Sequence, residues 1–412
     1  MNIEQRSAIL IGGSMAGLFC GALLQRAGWE VRIFERAGEE LASRGAGIAT
    51  HHQLYDAFRI AGIPLRPEMG VHSKGRRVFA PDGSLLGTCE LPQILTSWGF
   101  IYRFLREQFP REAYRNGMAL TGFTQHETGV TARFENGEEA TAAWLIGADG
   151  TRSTVRSLVA PDAVARYCGY FGWRGLADES SLPATVIERL DQHFALNPAP
   201  HGHLLGYMVA GPDDDLRPGH RWYNWGWYRR ANDARLREHL TGIDGQHYPL
   251  GIPHDLIRPE LVEQMYAEAA RELAPCLQTV LRTTRRPFLQ AIMEVGSERM
   301  LAGRVALIGD AAFTARPHVG LGVSKAAEDG TSLALALSDA NQESAVRHWE
   351  AARLRFGRAA LRWGQELGSY IETPRPDPVQ RALAAFHRRP DVLMVQTASN
   401  VPAHYLGVGQ AT

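Results

Sequence analysis

Three clusters of glycine and acid, far apart in this chain, have the types and spacing to hold one large anionic ligand. The first is the turn Gly12-Gly13-Ser14-Met15-Ala16-Gly17, which follows the apolar run Ala8-Ile9-Leu10-Ile11. The next apolar run, Glu30 to Phe34, ends in Glu35 with Arg36 beside it. A glycine turn that opens a helix offers backbone N–H groups to a pyrophosphate, and an acid closing the following strand takes ribose hydroxyls. Ser14 stands where the usual fingerprint has its second glycine, and its small hydroxyl can itself donate to phosphate. The second cluster, Leu145 to Arg156, carries Asp149 and Gly150, with Arg152 and Arg156 close by. The third, Leu307 to Gly330, carries Asp310, Pro317, Gly320, Leu321 and Gly322. Asp310, at the end of an apolar strand, suits a sugar-like ribityl chain. Pro317 fixes the next turn, and the two glycines let backbone approach a ligand closely. A helix from about Ser324 to Leu337 then points free N–H groups at an anion such as reduced flavin. In this order the clusters read as one flavin site.

Three side chains near these turns are candidates for proton handling. His318 follows Pro317 directly, and an imidazole titrates near neutral pH. Arg316 suits the role of clamp on a phenolate-like anion. His51, with His52 beside it, is the third candidate. Each has a plainer alternative: helix-start packing for His318, a structural ion pair for Arg316, and a surface position for His51 behind Thr50 as helix N-cap.

The elements that position them alternate strand and helix at first. Residues 164 to about 251 change character, with glycine, proline and aromatics clustered and no long helical period. His220 to Arg229 reads as a strand, with Tyr223, Trp225 and Trp227 on one face and Trp222, Asn224 and Tyr228 on the other. The expectation is that Tyr223, Trp225 and Trp227 roof a flat aromatic substrate; ordinary core packing is the alternative. Asp213-Asp214-Asp215 reads as a solvated turn. Ile257 to Leu281 reads as helix broken at Pro275, and Ala334 to Gln365 as further helix. The segment after Pro374 is weakly patterned and either covers the flavin lobe or joins a homodimer contact.

With 412 residues, 45% hydrophobic and 21% charged, the chain has the size and composition of a soluble globular protein with two lobes. A formal net charge of +0 gives no pull toward nucleic acid or an anionic membrane. The four cysteines form no C-x-x-C pair, and no metal motif is visible. No apolar run reaches membrane-spanning length, and the opening residues lack a signal-peptide pattern. A cytoplasmic location is expected.

On the segments GGSMAGL, GADG, GDAAF, TARPH and YFGWRG, the chain resembles the single-component FAD-dependent aromatic hydroxylases, the para-hydroxybenzoate hydroxylase superfamily. TARPH, YFGWRG and the opening turn most resemble its dihydroxypyridine branch. The resemblance implies an α/β fold: a Rossmann-like FAD/NAD(P)-binding lobe (residues 1–75, 100–163 and 276–360), an inserted antiparallel-sheet substrate lobe (76–99 and 164–275) and a C-terminal helical or irregular segment (361–412). It implies FAD, with NADH or NADPH as electron donor, O2 and a small hydroxylated aromatic or N-heteroaromatic ring as substrate, and a C4a-hydroperoxyflavin that transfers oxygen. Glu35 would hold ribose, Asp310 the ribityl chain, and Gly45-Ala46-Gly47-Ile48 would approach the flavin ring. Two positions depart from the pattern. Phe313 stands where members often have histidine, and is assigned to the substrate wall. Tyr102 stands where they often have a cofactor-binding arginine, and Arg103 is the candidate replacement. A flavin halogenase of the same fold is the first alternative; against it, Trp225-Gly226-Trp227 runs into Tyr228-Arg229-Arg230, and the only lysines are Lys74 and Lys325. The second alternative is a flavin-binding protein without turnover.

Overall fold

A computed structural model describes residues 6–41, 47–64, 69–373 and 377–407. Short, mostly apolar runs form a six-stranded sheet whose order is Leu301–Ala302, Val305–Leu307, Trp144–Gly147, Ser7–Ile11, Glu30–Phe34 and Tyr114–Arg115. All neighbours are parallel except the first pair. Strands buried on both faces need no polar alternation, and Ile9, Leu10, Leu145, Ile146, Ala306 and Leu307 are buried to completion. The helices Met15–Arg26 and Gly322–Ser338 cross closely on one face. A Cβ on Gly330 would stand 2.7 Å from the Ala16 carbonyl oxygen, so this crossing requires glycine there.

The second sheet is ten-stranded and mostly antiparallel. It runs Gly251–Ile252, Phe288–Gly296, Arg166–Asp178, Trp222–Arg230, Gly202–Val209, His193–Ala199, Val71–Phe79, Leu85–Ser97 and Gly47–Ala49, with Phe313–Thr314 paired to the end of Phe288–Gly296. Its two faces bury different things. Phe171, Trp173, Tyr223, Trp225 and Trp227 pack beneath the helices Pro259–Glu272 and Pro275–Thr283. Tyr170, Phe194, Tyr207, Tyr228 and Ile292 point the other way, toward Tyr370, Leu393 and Ala398. A third, three-stranded sheet (Leu120–Gln125, Val130–Phe134, Glu139–Ala142) flanks the parallel one.

Several expected boundaries move. The strand Phe288–Gly296 and helix Pro275–Thr283 belong to the large sheet and its core, not to the parallel sheet, because their apolar faces complete the layer around Trp173 and Trp225. Strand Val71–Phe79 starts before residue 76, and helix Gln342–Gly368 runs straight through residue 361. Thr50 is not a helix cap: its hydroxyl donates to the Ile94 carbonyl at 2.7 Å, and His51 takes the cap position. The C-terminal segment folds back as helices Pro378–His387 and Pro390–Gln396. Arg76, 1% exposed, donates to the carbonyls of Met394, Thr397 and Ala398 and pins that segment to the sheet.

Trp225 is fully buried and donates its indole N–H to Thr284 Oγ1 at 2.8 Å. Trp225→Ala is expected to cost about 3–5 kcal/mol, chiefly through the cavity it leaves. Urea denaturation of the purified protein checks this, and an unchanged midpoint would show that the aromatic layer carries no stability.

Candidate flavin and substrate site

The register of the parallel sheet decides where the three turns meet. Ile11 pairs with Gly147, and Gly147 with Leu307, so the strand ends lie side by side. Gly12 leaves its strand with φ +106°, and a Cβ there would meet the Ala148 carbonyl oxygen at 2.3 Å. That approach joins the first turn to the second. Arg156, buried, joins the second to the third: its guanidinium donates to the carbonyls of Thr151 (2.6 Å), Ala163 (2.9 Å) and Ala311 (3.0 Å). Asp149 is spent on its own loop, accepting from Ser153 Oγ (2.5 Å) and from the amides of Thr154 (2.7 Å) and Val155 (3.1 Å). Behind the Asp310 turn, Asp329 accepts from the Gly309 amide at 2.9 Å, Lys325 Nζ at 3.2 Å and Arg353 Nε at 2.6 Å. Burial opposes the Asp329 charge, but Lys325 and Arg353 outweigh it and hold its carboxyl below the usual range.

Two hollows open off this junction. One, of about 350 Å³, is lined by Gly12, Ser14, Glu35, Arg36, Asp149 and Gly150. Glu35 accepts from the amides of Gly13 and Ala37, both at 2.9 Å, which fixes its carboxylate at the rim. The other, of about 300 Å³, lies between the loop Asp310 to Gly322 and the large sheet. Gly47, Ile48, Asp310, Pro317, Gly320 and Gly322 line one side, and Arg174, Tyr207, Asn224, Tyr228 and Gln290 the other. Gly150 lines the first hollow and its chain neighbour Thr151 the second. The helices Met15–Arg26 and Gly322–Ser338 both start here without a side-chain cap or an acid in the first turn. Their amides are left for an anionic ligand. Gly150 and Gly322 face open space, with nothing within 4 Å of a Cβ built on them. A long anionic molecule with a sugar at one end and a flat ring at the other fits this double hollow.

The three proton-handling candidates have other partners. Arg316 is 3% exposed and ion-paired with Glu294 (2.8 Å) and Glu372. Its charge is spent inside the protein, so it is not a free anion clamp. His318 is 1% exposed; its Nε2 meets the Tyr170 hydroxyl at 2.8 Å, and its ring lies among Tyr170, His203 and Tyr228, behind the cavity wall. Burial first, then the charges of neighbours including Arg316, pushes its pKa well below the ordinary value. His51 is buried, not at the surface, and its Nε2 lies 3.2 Å from the Gly320 carbonyl oxygen. All three side chains therefore brace the loop that lines the ring cavity.

The substrate-wall expectations also move. Tyr223, Trp225 and Trp227 sit on the far face of their strand, in the helix-covered core. Their neighbours Asn224 and Tyr228 line the cavity instead. Phe313 is packed in the core against Gly296 and Gly357. The acidic turn is at the surface, with Asp213 exposed, and Arg103 is paired there with Asp214 rather than aimed at a cofactor. Tyr102 donates to Glu40 at 2.5 Å. Met15, Ala16, Gly17 and Leu321 form the helix starts rather than the cavity surface. Gly45 and Ala46 lie outside the described residues. Sequence reasoning missed Arg174, Tyr207, Gln290, Thr397 and Ala398 as cavity residues. Arg174 shows a signal in retrospect, being two residues along from Gly172 on the same strand face.

A family model described as FAD binding domain-like matches residues 167–294. The chain is 30% identical over 365 residues to 2,6-dihydroxypyridine 3-monooxygenase of Paenarthrobacter nicotinovorans, covering 88% of this chain and 91% of that one. It belongs to the FAD-dependent aromatic monooxygenases. The solved 2,6-dihydroxypyridine-3-hydroxylase from Arthrobacter nicotinovorans superposes on this monooxygenase with a TM-score of 0.84 at 27% identity, over 91% of this chain and 96% of that chain. A 3-amino-4-hydroxybenzoate 2-monooxygenase of Streptomyces cremeus is 29% identical over 84% of this chain and 82% of its own. A salicylate hydroxylase substrate complex shares the fold, with a TM-score of 0.71 at 20% identity over the full length of both chains. The monooxygenase is a flavoprotein. Among the described residues no helix is long and apolar enough to cross a membrane.

Two outcomes are expected. Asp310→Asn removes the charge at the junction, and FAD should bind roughly 10–100-fold more weakly, read by fluorescence titration of the apoprotein. Unchanged affinity would place the ribityl contact elsewhere. The second concerns acid. Burial lowers the pKa of His51 to about 4 and of His203 to about 3, and His318 moves the same way. Unfolded, each returns to about 6.5 and binds a proton below it. Stability from these groups is therefore whole above pH 6.5 and is lost as pH falls toward 4. The melting temperature should drop by roughly 5 °C between pH 7 and pH 5. His203→Gln should flatten part of that slope in calorimetry; an identical slope would show that His203 is not held neutral.

Proposed function

We propose that this enzyme hydroxylates a small planar ring bearing hydroxyl groups, of the 2,6-dihydroxypyridine kind, using NADH or NADPH and O2. The observation that carries the reading is the shape and lining of the ring cavity. It is about 300 Å³, and between the Asp310–Gly322 loop and the sheet it can hold a flavin edge with one small ring. The sheet wall offers hydrogen-bond donors rather than carboxylates. Asn224 lines the cavity and its Oδ1 accepts the Gly47 amide at 2.9 Å, so its amide Nδ2 is the donor it has left to offer. Tyr228 accepts from Arg174 at 3.2 Å, leaving its own proton to donate. An electron-rich ring with oxygen substituents is the complement of that wall. The likeness to the dihydroxypyridine enzymes supports the same substrate class.

Bound FAD, reduced by the nicotinamide nucleotide, supplies oxygen activation and transfer of one oxygen atom to a ring carbon. Glu35 and the Gly12 turn hold the adenosine and pyrophosphate end, and Asp310 the ribityl chain. Gly47, Ile48, Pro317, Gly320 and Gly322 bring backbone to the flavin ring. Asn224 and Tyr228 orient the substrate and hold protons at its oxygens. Thr397 and Ala398, pinned through Arg76, close one side of the cavity and exclude water. His51, Arg316 and His318 keep the loop rigid, so proton chemistry falls to groups on the cavity surface.

The test is NADH and NADPH oxidation by the FAD-loaded enzyme with 2,6-dihydroxypyridine, 2-hydroxypyridine, 3-hydroxybenzoate and salicylate, with product mass. At least one ring should accelerate oxidation above the ring-free rate and gain one oxygen. No acceleration by any of them would overturn this substrate class. Tyr228→Phe should slow turnover about 10–100-fold on the best ring while FAD content stays normal; unchanged turnover would remove Tyr228 from the proposed proton path.

A further inference from the structure

One wall of the ring cavity carries a primary amide that no other group in the protein holds. Strand Phe288–Gly296 alternates: Leu289 and Ala291 are buried in the helix-covered core, while Gln290 and Ile292 lie on the cavity side. Gln290 is exposed, and among the described residues its side chain has no hydrogen-bond partner. The other polar groups of the cavity are differently placed. Asn224 has given its Oδ1 to the Gly47 amide. The hydroxyls of Thr151 and Thr314 meet at 3.1 Å, and Thr314 also donates to the Asp310 carbonyl. Tyr207 and Tyr228 each offer one hydroxyl. Among the described lining residues, Gln290 alone has a free acceptor and a free donor side by side in one plane.

Strand register sets this amide in line with Tyr228. Gln290 pairs with Gly172, and Gly172 with Tyr228, so the three stand in one row across three strands. The glycine between them has no side chain, and Tyr228 leans over it: a Cβ there would stand 3.4 Å from Tyr228 Cδ1 and Cε1. On its outer side Gln290 pairs with Gly251, again without a side chain. The amide is therefore uncrowded by either strand neighbour. A flat ring held near the Tyr228 hydroxyl has room to present an edge to it.

A primary amide is the complement of a ring N–H that stands beside a ring C=O. The two close a cyclic pair of hydrogen bonds: the ring N–H donates to Gln290 Oε1, and Gln290 Nε2 donates to the ring oxygen. A 2-hydroxypyridine presents that edge in its lactam form, and a phenol has no ring N–H to give. Resting on the hydroxylase reading above, we infer that Gln290 is the specificity residue that reads the ring nitrogen, so that the enzyme takes N-heteroaromatic lactams in preference to carbocyclic phenols. A carbocyclic ring of the same size covers the amide and leaves it unpaired, and that lost bonding rejects it. The paired contact also fixes the rotation of the ring in its own plane, which decides the carbon turned toward the flavin.

The experiment uses the FAD-loaded enzyme and reads ring binding from the flavin absorption spectrum, with equilibrium dialysis in parallel, so it needs no turnover. The probes are 2-pyridone, N-methyl-2-pyridone, whose ring N–H is blocked, and phenol. Wild type should bind 2-pyridone about 10–100-fold more tightly than either of the others. Gln290→Leu should bring 2-pyridone down to the level of phenol, leaving phenol affinity, FAD content and melting temperature unchanged. Gln290→Glu keeps an acceptor for the ring N–H but sets a carboxylate against the ring oxygen, and should lose the preference as well. Equal binding of 2-pyridone and its N-methyl derivative by wild type would overturn the inference. So would a Gln290→Leu enzyme that keeps the preference, or one that loses 2-pyridone and phenol alike. Failure of every ring to stimulate NAD(P)H oxidation overturns the hydroxylase reading instead, while a lactam preference that vanishes in Gln290→Leu stands without turnover. No binding of any of the three rings to wild type overturns both.

Discussion

Parallel pairing of three short strands sets the geometry on which everything else rests. Ser7–Ile11, Trp144–Gly147 and Val305–Leu307 come from distant parts of the chain, yet their registers align Ile11, Gly147 and Leu307 in one row. A slip of one residue would turn each buried side chain to the opposite face. It would also withdraw one glycine or acid from the junction. The site is therefore coupled to core burial: the sheet cannot pack correctly without bringing its three turns together.

The turns are then locked by buried cations rather than by apolar contacts. Arg156 holds three carbonyls across two turns, Arg76 three carbonyls of the C-terminal segment, and Arg353 shares Asp329 with Lys325. Hydrogen bonds to a charged group are stronger than neutral ones, and breaking them strands a buried charge. Losing any one of these cations would leave several buried carbonyls or a buried carboxylate without a partner. Together they place rigid backbone where a flavin has to be approached closely, while the substrate wall is left to side chains on a continuous strand.

Much of the cofactor half was legible because it is local. The turn at Gly12, the acid at Glu35 and the Asp310–Gly322 loop each carry their meaning within a few residues. The substrate half was not, for reasons visible at particular positions. Period two in Trp222–Arg230 divides its residues into two faces, but which face meets the cavity depends on helices recruited from 259–283. Arg316 looked like a free clamp because Glu294 and Glu372 reach it only through the fold. His318 looked poised to titrate because nothing nearby in sequence announces the closeness of Tyr170, His203 and Tyr228. Thr397 and Ala398 reach the cavity only because Arg76 holds their backbone.

The strand Trp222–Arg230 has one last consequence. Tyr223, Trp225 and Trp227 support the fold from one side, while Asn224, Gly226 and Tyr228 shape the cavity from the other. A single stretch of chain thus keeps two separate ledgers, one of folding and one of recognition, interleaved residue by residue. The division is not complete: Asn224 also holds the Gly47 amide, and Tyr228 also packs on Tyr170 and His318. A change of ring preference written into this strand would therefore have to be matched by the loops that lean on it.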